Sequence, residues 1–395
     1  MRVLKNISLS PKEYCLLLVL LLIEFTRGAF FLTFLPLYAV NYLGISVAAA
    51  GLAVSAHYLA ETLSKGAAGW QLDRRGHLTM LIGLLVGLAA LVLMKIHPSA
   101  ILLLAGSAVL GLGISPVWLA VISKVAPVQL KERATRMGII FAIWLVGGGG
   151  GPVVINFFIA RDYNIAFWLL IFLWGFALAV SATLLPGAES KTGSGQGYSI
   201  KKELLKMLQN KAIKKILLPG MFLQTLTGGL LLPLLPLYAQ NKIGLEPSQY
   251  GILLLIGGAA AALSFLPMGR LADRVNLKFI LSAGFGISAL SLAAFSVVRD
   301  AFNAYLLAAL IGFSYAAVLP AWNNLLSKAV PPDRQATGWG VFSTIEGMGV
   351  AIGPAMGGVV AKYMGIQAPI IISTTLLAIM SCFYLFYPVE RIFTK

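Results

Sequence analysis

Twelve long runs of apolar residues, separated by short polar gaps, constrain this chain more than any other feature. A helix needs about 20 apolar residues to cross the hydrocarbon of a bilayer, and these runs are of that order. Of the 395 residues, 59% are hydrophobic and 11% are charged, which excludes a soluble domain. The sequence therefore predicts an all-α membrane protein with twelve transmembrane helices. The predicted spans are residues 14–41, 47–71, 78–95, 100–126, 136–160, 165–186, 216–241, 247–270, 278–298, 302–329, 337–363 and 367–389.

The basic residues collect in alternate gaps between the spans. The odd-numbered gaps and their edges hold few of them, namely Lys95, Arg161, Lys242, Arg299 and Lys362. Lys and Arg accumulate in cytoplasmic loops, so we expect both termini and the central loop in the cytoplasm. This distribution also accounts for the net charge of +16 without nucleic acid as a partner.

An internal repeat relates the two halves of the chain. The sequence LPLYA occurs at residues 35–39 and again at 235–239, and GWQLDRRG at 69–76 matches GRLADRVN at 269–276. Two halves in the same orientation are the plan of one large class of secondary transporters, whose substrate site lies near the midplane between the repeats.

The segment between the halves has a different composition. It begins GAESKTGSGQG, which is typical of a flexible linker. Apolar residues then recur at helical spacing against a lysine-rich face: Ile200, Leu204, Leu205 and Leu208. This pattern predicts a short amphipathic helix, either on the inner leaflet or in solvent. We expect a six-helix bundle in residues 1–186, the linker in 187–215 and a second bundle in 216–395.

Charged residues stand in the middle of the first two spans. Glu24 and Arg27 share one face of the first span, and Glu61 lies at a similar depth in the second, together with His57 and Lys65 at a spacing of four residues. A charge at the bilayer centre costs roughly 2.5–3.5 kcal/mol and usually faces the protein interior or a water-filled path. The charges indicate either a structural ion pair or a site for protons and polar substrate. The alternatives for His57 are a substrate contact and a buried hydrogen-bonding histidine.

The second repeat carries neutral residues at the matching positions. Gln224, Thr227 and Ala261 correspond to Glu24, Arg27 and Glu61. Burial disfavours the charged form of a carboxylate and a nearby arginine favours it, a competition that suits proton coupling. We expect Glu24 or Glu61 to carry the proton, and its binding to free Arg27 for an anionic or sugar-bearing ligand.

Further polar and aromatic side chains lie inside the spans at a depth that a central cavity would reach. Trp118 and Trp144 lie several residues inside their spans, which favours lining a cavity over anchoring at the membrane surface. Trp322, Asn323 and Asn324 lie at the corresponding depth in the second half, and Glu346 aligns with Trp144. We expect these residues, with Arg27 and His57, to contact the substrate.

Several other chemistries have no support in the sequence. The run Gly147–Gly151 and the linker GSGQG precede no GK[ST], so neither is a phosphate-binding loop. Cys15 and Cys382 have no metal or redox spacing, and no nucleophile constellation suggests an enzyme. We expect a gradient-driven transporter without a cofactor, acting as a monomer among membrane lipids.

The loop motif Gly69-x-x-x-Asp73-Arg74-x-Gly76 and its second copy at Gly269, Asp273 and Arg274 resemble the signature of the major facilitator superfamily. That resemblance implies the twelve-helix major facilitator fold, with these Asp and Arg residues latching a cytoplasmic gate. Asn276 replaces the closing glycine in the second copy, which predicts a looser latch.

Finer motifs resemble one group within that superfamily. EFTRG, SAHYLAE, SPVW, LPAWN, GWGVFSTIEG and GPAMGG are similar to the proton-coupled glycolipid flippases of the lipoteichoic acid pathway. The resemblance implies a bacterial plasma-membrane transporter that exports or flips a glycosyl-diacylglycerol by proton antiport. Drug and metallophore exporters share much of the pattern, so efflux of such compounds is the alternative.

Overall fold

The computed structural model describes residues 9–127, 130, 133–184, 213–328 and 335–387. The predicted linker helix lies outside these ranges. The described residues form helices joined by turns and contain no strand. The long helices are α1 Pro11–Ala29, α2 Val47–Arg75, α3 His77–Ile96, α4 Ala100–Val125, α5 Arg133–Ile159, α6 Tyr163–Ala182, α7 Leu218–Leu231, α8 Pro247–Ala272, α9 Leu277–Phe295, α10 Ala301–Ser327, α11 Gln335–Met364 and α12 Ala368–Phe386.

Most of these helices are long and apolar enough to cross a membrane. Within the described residues ten helices meet that criterion, and the bent pair Leu218–Leu231 and Leu235–Ile243 is an eleventh. The remaining predicted span falls on α2, which has 29 residues but also carries Glu61, Lys65, Asp73 and two terminal arginines. Twelve spans and cytoplasmic termini therefore remain predictions. Large apolar side chains such as Leu263 and Phe386 are about 80% exposed, as expected of a surface that meets lipid.

The repeated LPLYA segments continue α1 and α7 in different ways. Helix α1 runs on through two π-helical turns to Tyr42, giving a single 32-residue element. Helix α7 breaks after Leu231 and resumes at Leu235 with a bend of 43°. The first repeat has Thr33 where the second has Pro233. Proline lacks a backbone donor and clashes with the preceding turn, which explains the break.

The same helix pairs pack together in the two repeats. Helices α1 and α5 form one tight pair, and α7 and α11 form the equivalent pair. Likewise α3 packs against α4 and α6, as α9 packs against α10 and α12. The sequence repeat is thus a repeat of the packing plan.

Two compact units make up the chain. Unit 1 comprises Met1–Leu35 with Ala56–Gly195, and unit 2 comprises Pro36–Ser55 with Gln196–Lys395. Residues Pro36–Ser55, which include the first nine residues of α2, therefore belong with unit 2, while the predicted domain limits remain a proposal.

Hydrogen bonds explain why residues Pro36–Ser55 group with unit 2. The backbone N–H of Ala355 donates to Ser55 Oγ at 2.8 Å, and Asn41 Nδ2 donates to Gln240 Oε1 at 2.8 Å. The backbone is also in close contact, since a Cβ on Gly358 would lie 2.8 Å from the carbonyl oxygen of Val47.

Candidate functional site

Glycines on α5 set the position of α1 in unit 1. A Cβ on Gly151 would overlap the carbonyl oxygen of Phe25, and one on Gly147 would lie 3.0 Å from Glu24 Cβ. Side chains at these positions would push the two helices apart. The glycine run is therefore a helix-packing surface, and it holds the α1 backbone that carries Glu24 and Arg27.

Glu24 and Arg27 form a close ion pair on α1. Arg27 donates to Glu24 Oε2 from Nη2 at 2.5 Å and from Nε at 2.9 Å. Glu24 is only 4% exposed. Two charge-assisted bonds from one planar guanidinium fix the rotamers of both side chains.

Arg27 also reaches the second carboxylate, on α2. Its Nη1 lies 3.4 Å from Glu61 Oε2, and the other oxygen of Glu61 lies 3.1 Å from Lys65 Nζ. Arg27 is therefore shared between Glu24 and Glu61, with the shorter contacts to Glu24. Two carboxylates, one guanidinium and one ammonium form a cluster without formal net charge, which reduces the cost of burying them.

His57 is enclosed beside this cluster and is not exposed. Its ring stacks on Phe31 with centroids 3.8 Å apart, and its side chain has no exposed surface. Its Nε2 lies 3.8 Å from Glu61 Oε2, beyond hydrogen-bond length. Of the two alternatives for this residue, the observed position is that of a buried histidine, and a substrate cannot reach it in this conformation.

Helix α4 contacts the α2 backbone at the cluster through residues that the sequence patterns did not single out. Ser115 Oγ donates to the backbone oxygen of Glu61 at 3.1 Å and lies 2.5 Å from Ser64 Oγ. Gly111 leaves room for α2, because a Cβ there would overlap the backbone oxygen of His57. Tyr58 was also missed; its ring lies 5.8 Å from Arg27 Cζ, within cation–π range. Nothing in the spacing of these residues distinguishes them from ordinary packing positions.

The predicted tryptophan pair comes together in unit 1. Trp118 and Trp144 have ring centroids 6.5 Å apart in an edge-to-face arrangement, and Phe141 lies 5.5 Å from Trp118. Trp144 is 38% exposed. The exposed faces of this aromatic group could stack on a sugar ring or an apolar ligand.

The predicted substrate-binding residues in unit 2 differ in how far they are buried. Trp322 is 1% exposed and packs edge-on against Tyr384, within the hydrophobic core. Asn323 is exposed and Asn324 is half-buried. Because Trp322 packs in this core, its burial gives no support for contact with a substrate.

Glu346 stands apart from the charged cluster. Its side chain is half-buried, and among the described residues it makes no hydrogen bond or ion pair. It interacts electrostatically with Tyr315 of α10, whose ring packs edge-on against Phe265 of α8. Among the described residues, Glu346 thus has an aromatic electrostatic partner and no ion pair with a cation.

The predicted gating residues lie at the ends of α2 and α8. Arg74 stacks on Trp70 with Cζ 4.1 Å from the ring centroid. Asp73, Asp273 and Arg274 form no ion pair within the part of the chain that the structure describes. A latching role for Gly69, Asp73, Arg74, Gly269, Asp273 and Arg274 therefore remains a prediction.

Gly76 and Asn276 close the two copies of the loop motif differently. Gly76 has φ 57°, a left-handed conformation, whereas Asn276 has φ −56° and caps α9 by accepting from Lys278 N at 2.9 Å. The second loop thus uses a helix cap where the first uses a glycine turn, and this is the physical reason for the substitution.

The described residues contain no group of His, Cys, Asp or Glu that could hold a metal ion. What unit 1 does contain is a buried cluster of charges among helices long enough to cross a bilayer. Such intramembrane charges mark ion or substrate pathways, so fold and site together define a membrane transporter.

Comparison with known proteins gives the family. Residues 16–215 and 217–394 match the Major Facilitator Superfamily. The chain belongs to the major facilitator superfamily and is a multi-pass transporter of the bacterial plasma membrane, not an enzyme.

Curated relatives cover nearly the whole chain. A protein of Staphylococcus saprophyticus named proton-coupled antiporter flippase LtaA is 28% identical over 91% of this chain and 90% of its own length. The protein of the same name from Staphylococcus haemolyticus is 27% identical over 98% and 97%. Their names support the flippase resemblance drawn from the sequence motifs.

Solved structures share the fold at low sequence identity. A bacterial homologue of the human lysosomal transporter Spinster, in an inward-facing conformation, has a TM-score of 0.78 at 17% identity and covers 98% of both chains. The nucleoside transporter NupG has a TM-score of 0.76 at 14% identity over 98% of this chain and 100% of its own. These likenesses concern the fold alone.

Proposed function

We propose that this transporter is a proton antiporter that flips a glycosyl-diacylglycerol, or a similar amphiphile, across the plasma membrane. The observation that carries the proposal is the sharing of Arg27 between Glu24 and Glu61. One bound proton changes the net charge of this cluster by one unit. Because charges interact more strongly in a buried site than in water, this change has a large effect on the free energy of the cluster. The names of the relatives support proton antiport and lipid flipping, and the glycolipid is the part that needs testing.

Glu61 is the better candidate for the proton. Its contact with Arg27 is longer than that of Glu24, 3.4 Å against 2.5 Å, and its side chain is 13% exposed against 6%. A proton therefore reaches Glu61 more easily, and there it competes with Arg27 at 3.4 Å and with Lys65 at 3.1 Å.

Antiport also requires that proton and substrate exclude each other. Release of Arg27 to the ligand by protonation, which the sequence led us to expect, would load proton and substrate together. Competition at Glu61 avoids this. Ionised Glu61 accepts hydrogen bonds from head-group hydroxyls, and protonation removes that charged acceptor, so the head group leaves when the proton binds.

A flipping assay in proteoliposomes tests the proposal. Wild-type protein should move a fluorescent diglucosyl-diacylglycerol when a pH gradient is imposed, and E61Q should lose the gradient-driven component by about 100-fold, in the range of losses for a positioned proton-transfer group. E246Q, which neutralises a glutamate at the start of α8, serves as the control. Full pH-driven transport by E61Q would remove Glu61 from this role, and E24Q is then the variant to measure.

Multidrug or metallophore efflux is the second candidate. Glu346 favours it, because a carboxylate with aromatic neighbours and no cation among the described residues could bind a cationic amphiphile. Efflux of ethidium from cells would then depend on Glu346 and fall at least tenfold in E346Q, a loss of at least ~1.4 kcal/mol of transition-state stabilisation. No ethidium efflux by wild type would exclude this class of drug.

A further inference from the structure

His57 is buried in unit 1 without a hydrogen-bond partner. Its side chain has no exposed surface, and neither ring nitrogen makes a hydrogen bond with any described residue. A buried polar group without a partner costs free energy, so its presence needs a reason. Gly257 matches His57 in the second repeat, and Ala261 matches Glu61. The second repeat therefore lacks both groups, and the shared fold does not require the histidine.

Packing on several sides fixes the imidazole. The ring stacks on Phe31 at an interplanar angle of 19°, and Tyr58 packs edge-on with ring centroids 5.1 Å apart. Helix α4 approaches so closely that a Cβ on Gly111 would overlap the backbone oxygen of His57. These contacts hold the ring with Nε2 directed toward Glu61 Oε2, at 3.8 Å.

The distance of 3.8 Å indicates that two hydrogen-bond acceptors face each other. An Nε2–H group would donate to the carboxylate and bring the two atoms to about 2.9 Å. A neutral imidazole carries a proton on one nitrogen only, and we assign it to Nδ1 on this ground. Nε2 then has a lone pair, which gains a partner only when the carboxyl group of Glu61 takes up a proton.

We propose that Nε2 of His57 accepts a hydrogen bond from the proton bound to Glu61, and that it thereby stabilises the protonated state of the transporter. The proposal rests on the proposed function, in which Glu61 carries the proton. A movement of roughly 1 Å by the Glu61 side chain closes the gap to hydrogen-bond length. His57 acts on the proton through Glu61 and is therefore a positioning residue.

Charged and titratable groups on two helices surround this pair: Glu24 and Arg27 on α1, and Tyr58 and Lys65 on α2. Helix α4 contributes the neutral hydroxyl of Ser115 and the backbone oxygen of Ser107, which interacts with the imidazole outside hydrogen-bond geometry. The two cations favour the ionised carboxylate and oppose protonation. His57 supplies an opposing interaction without adding a charge. Protonation of Glu61 thus depends on the balance between the cations and the imidazole.

Infrared difference spectroscopy of the full-length protein in detergent, recorded as a function of pH, tests the proposal. The carbonyl band of protonated Glu61 is the band that E61Q lacks. H57F keeps an aromatic ring against Phe31 and lacks the acceptor, so the pH at half-maximal band intensity should fall by about one unit. H57Q, whose side-chain oxygen can accept in place of Nε2, should stay near wild type. H97F, at the end of α3, is the matched control.

A second variant keeps the test decisive if H57F does not fold. The shorter amide of H57N does not extend to the position of Nε2, so H57N should show the same shift as H57F. In proteoliposomes the pH of half-maximal gradient-driven transport should fall by about one unit in both variants. An unshifted Glu61 band in H57F and H57N, or an equal shift in H57Q, overturns the role of His57.

The same measurements separate this role from the proposed function. A wild-type protein without a carboxyl band that depends on Glu61 contradicts the proton site, and with it both proposals. A wild-type protein that shows the band, the shift in H57F and no movement of glycolipid contradicts the proposed substrate while supporting the role of His57.

Discussion

Helices α1 and α7 occupy equivalent places in the two repeats and differ in their polar content. In α1, Glu24 and Arg27 form an ion pair that reaches Glu61 on α2. In α7, the hydroxyl of Thr227 donates to the backbone oxygen of Gln224 at 2.6 Å, a local bond within the helix. The two helices nevertheless pack on their partners, α5 and α11, in the same way.

This contrast separates what builds the fold from what serves function. The shared packing uses glycines in both units, Gly147 and Gly151 on α5 and Gly349 and Gly353 on α11. The two repeats have matching positions, and only those in unit 1 carry the charged cluster. The fold therefore does not require it. A costly feature that one repeat omits is better explained by coupling and binding than by stability.

Replacing Arg27 should have the largest effect on the difference between α1 and α7. R27Q leaves Glu24 buried without its partner, and breaking a buried pair costs about 3–5 kcal/mol. We expect a large fall in the thermal unfolding temperature in detergent, measured by tryptophan fluorescence. The double variant E24Q/R27Q should recover most of the loss, and R161Q, in the turn before α6, is the control. Wild-type stability in R27Q would show that Glu24 does not depend on Arg27.

Introducing the ion pair of α1 into α7 is the converse test of the comparison between the two helices. Glutamate at position 224 alone should destabilise unit 2 by roughly 3 kcal/mol, because the charge lies inside a span. Adding T227R at the i, i+3 spacing should restore at least half of that loss. Equal unfolding temperatures for Q224E and Q224E/T227R would mean that α7 cannot accommodate the geometry of α1.

The smallest expected effect concerns the two loop endings. G76A places a side chain in the left-handed region and should cost about 1–2 kcal/mol. N276A removes the cap of α9 and should cost about 1 kcal/mol. G258A, a helical glycine of α8 with open space around it, is the control. If N276G and G76N both matched wild type, the two loops would be interchangeable and the structural difference between them would have no energetic basis.

Much of the fold was predictable from the sequence. Hydropathy located the helices, and the repeat at LPLYA predicted that the two halves share a packing plan, which the helix contacts confirm. Composition also explains where the span criterion is not met: α2 carries five charged residues, more than any other of the long helices. The break in α7 follows from Pro233, but its 43° angle depends on packing.

The site was predictable in part. Residue depth placed Glu24, Arg27 and Glu61 at one level, and the structure joins them through Arg27. Depth gives no information on the rotation of a helix about its axis. That rotation encloses His57 against Phe31 and turns Trp322 into the core, although both had been expected to face a substrate.

The sequence by itself determined the class of protein, the repeat and the asymmetry of charge between α1 and α7, because hydropathy, spacing and alignment are properties of the chain. Tertiary structure alone decided how the charges are shared: Arg27 between two carboxylates, and Glu61 between an enclosed arginine and an exposed lysine. The reason is geometric. Contacts between α1 and α2 depend on helix rotation and on close approach at glycines such as Gly111 and Gly151, which bring side chains 34 residues apart within a few ångströms.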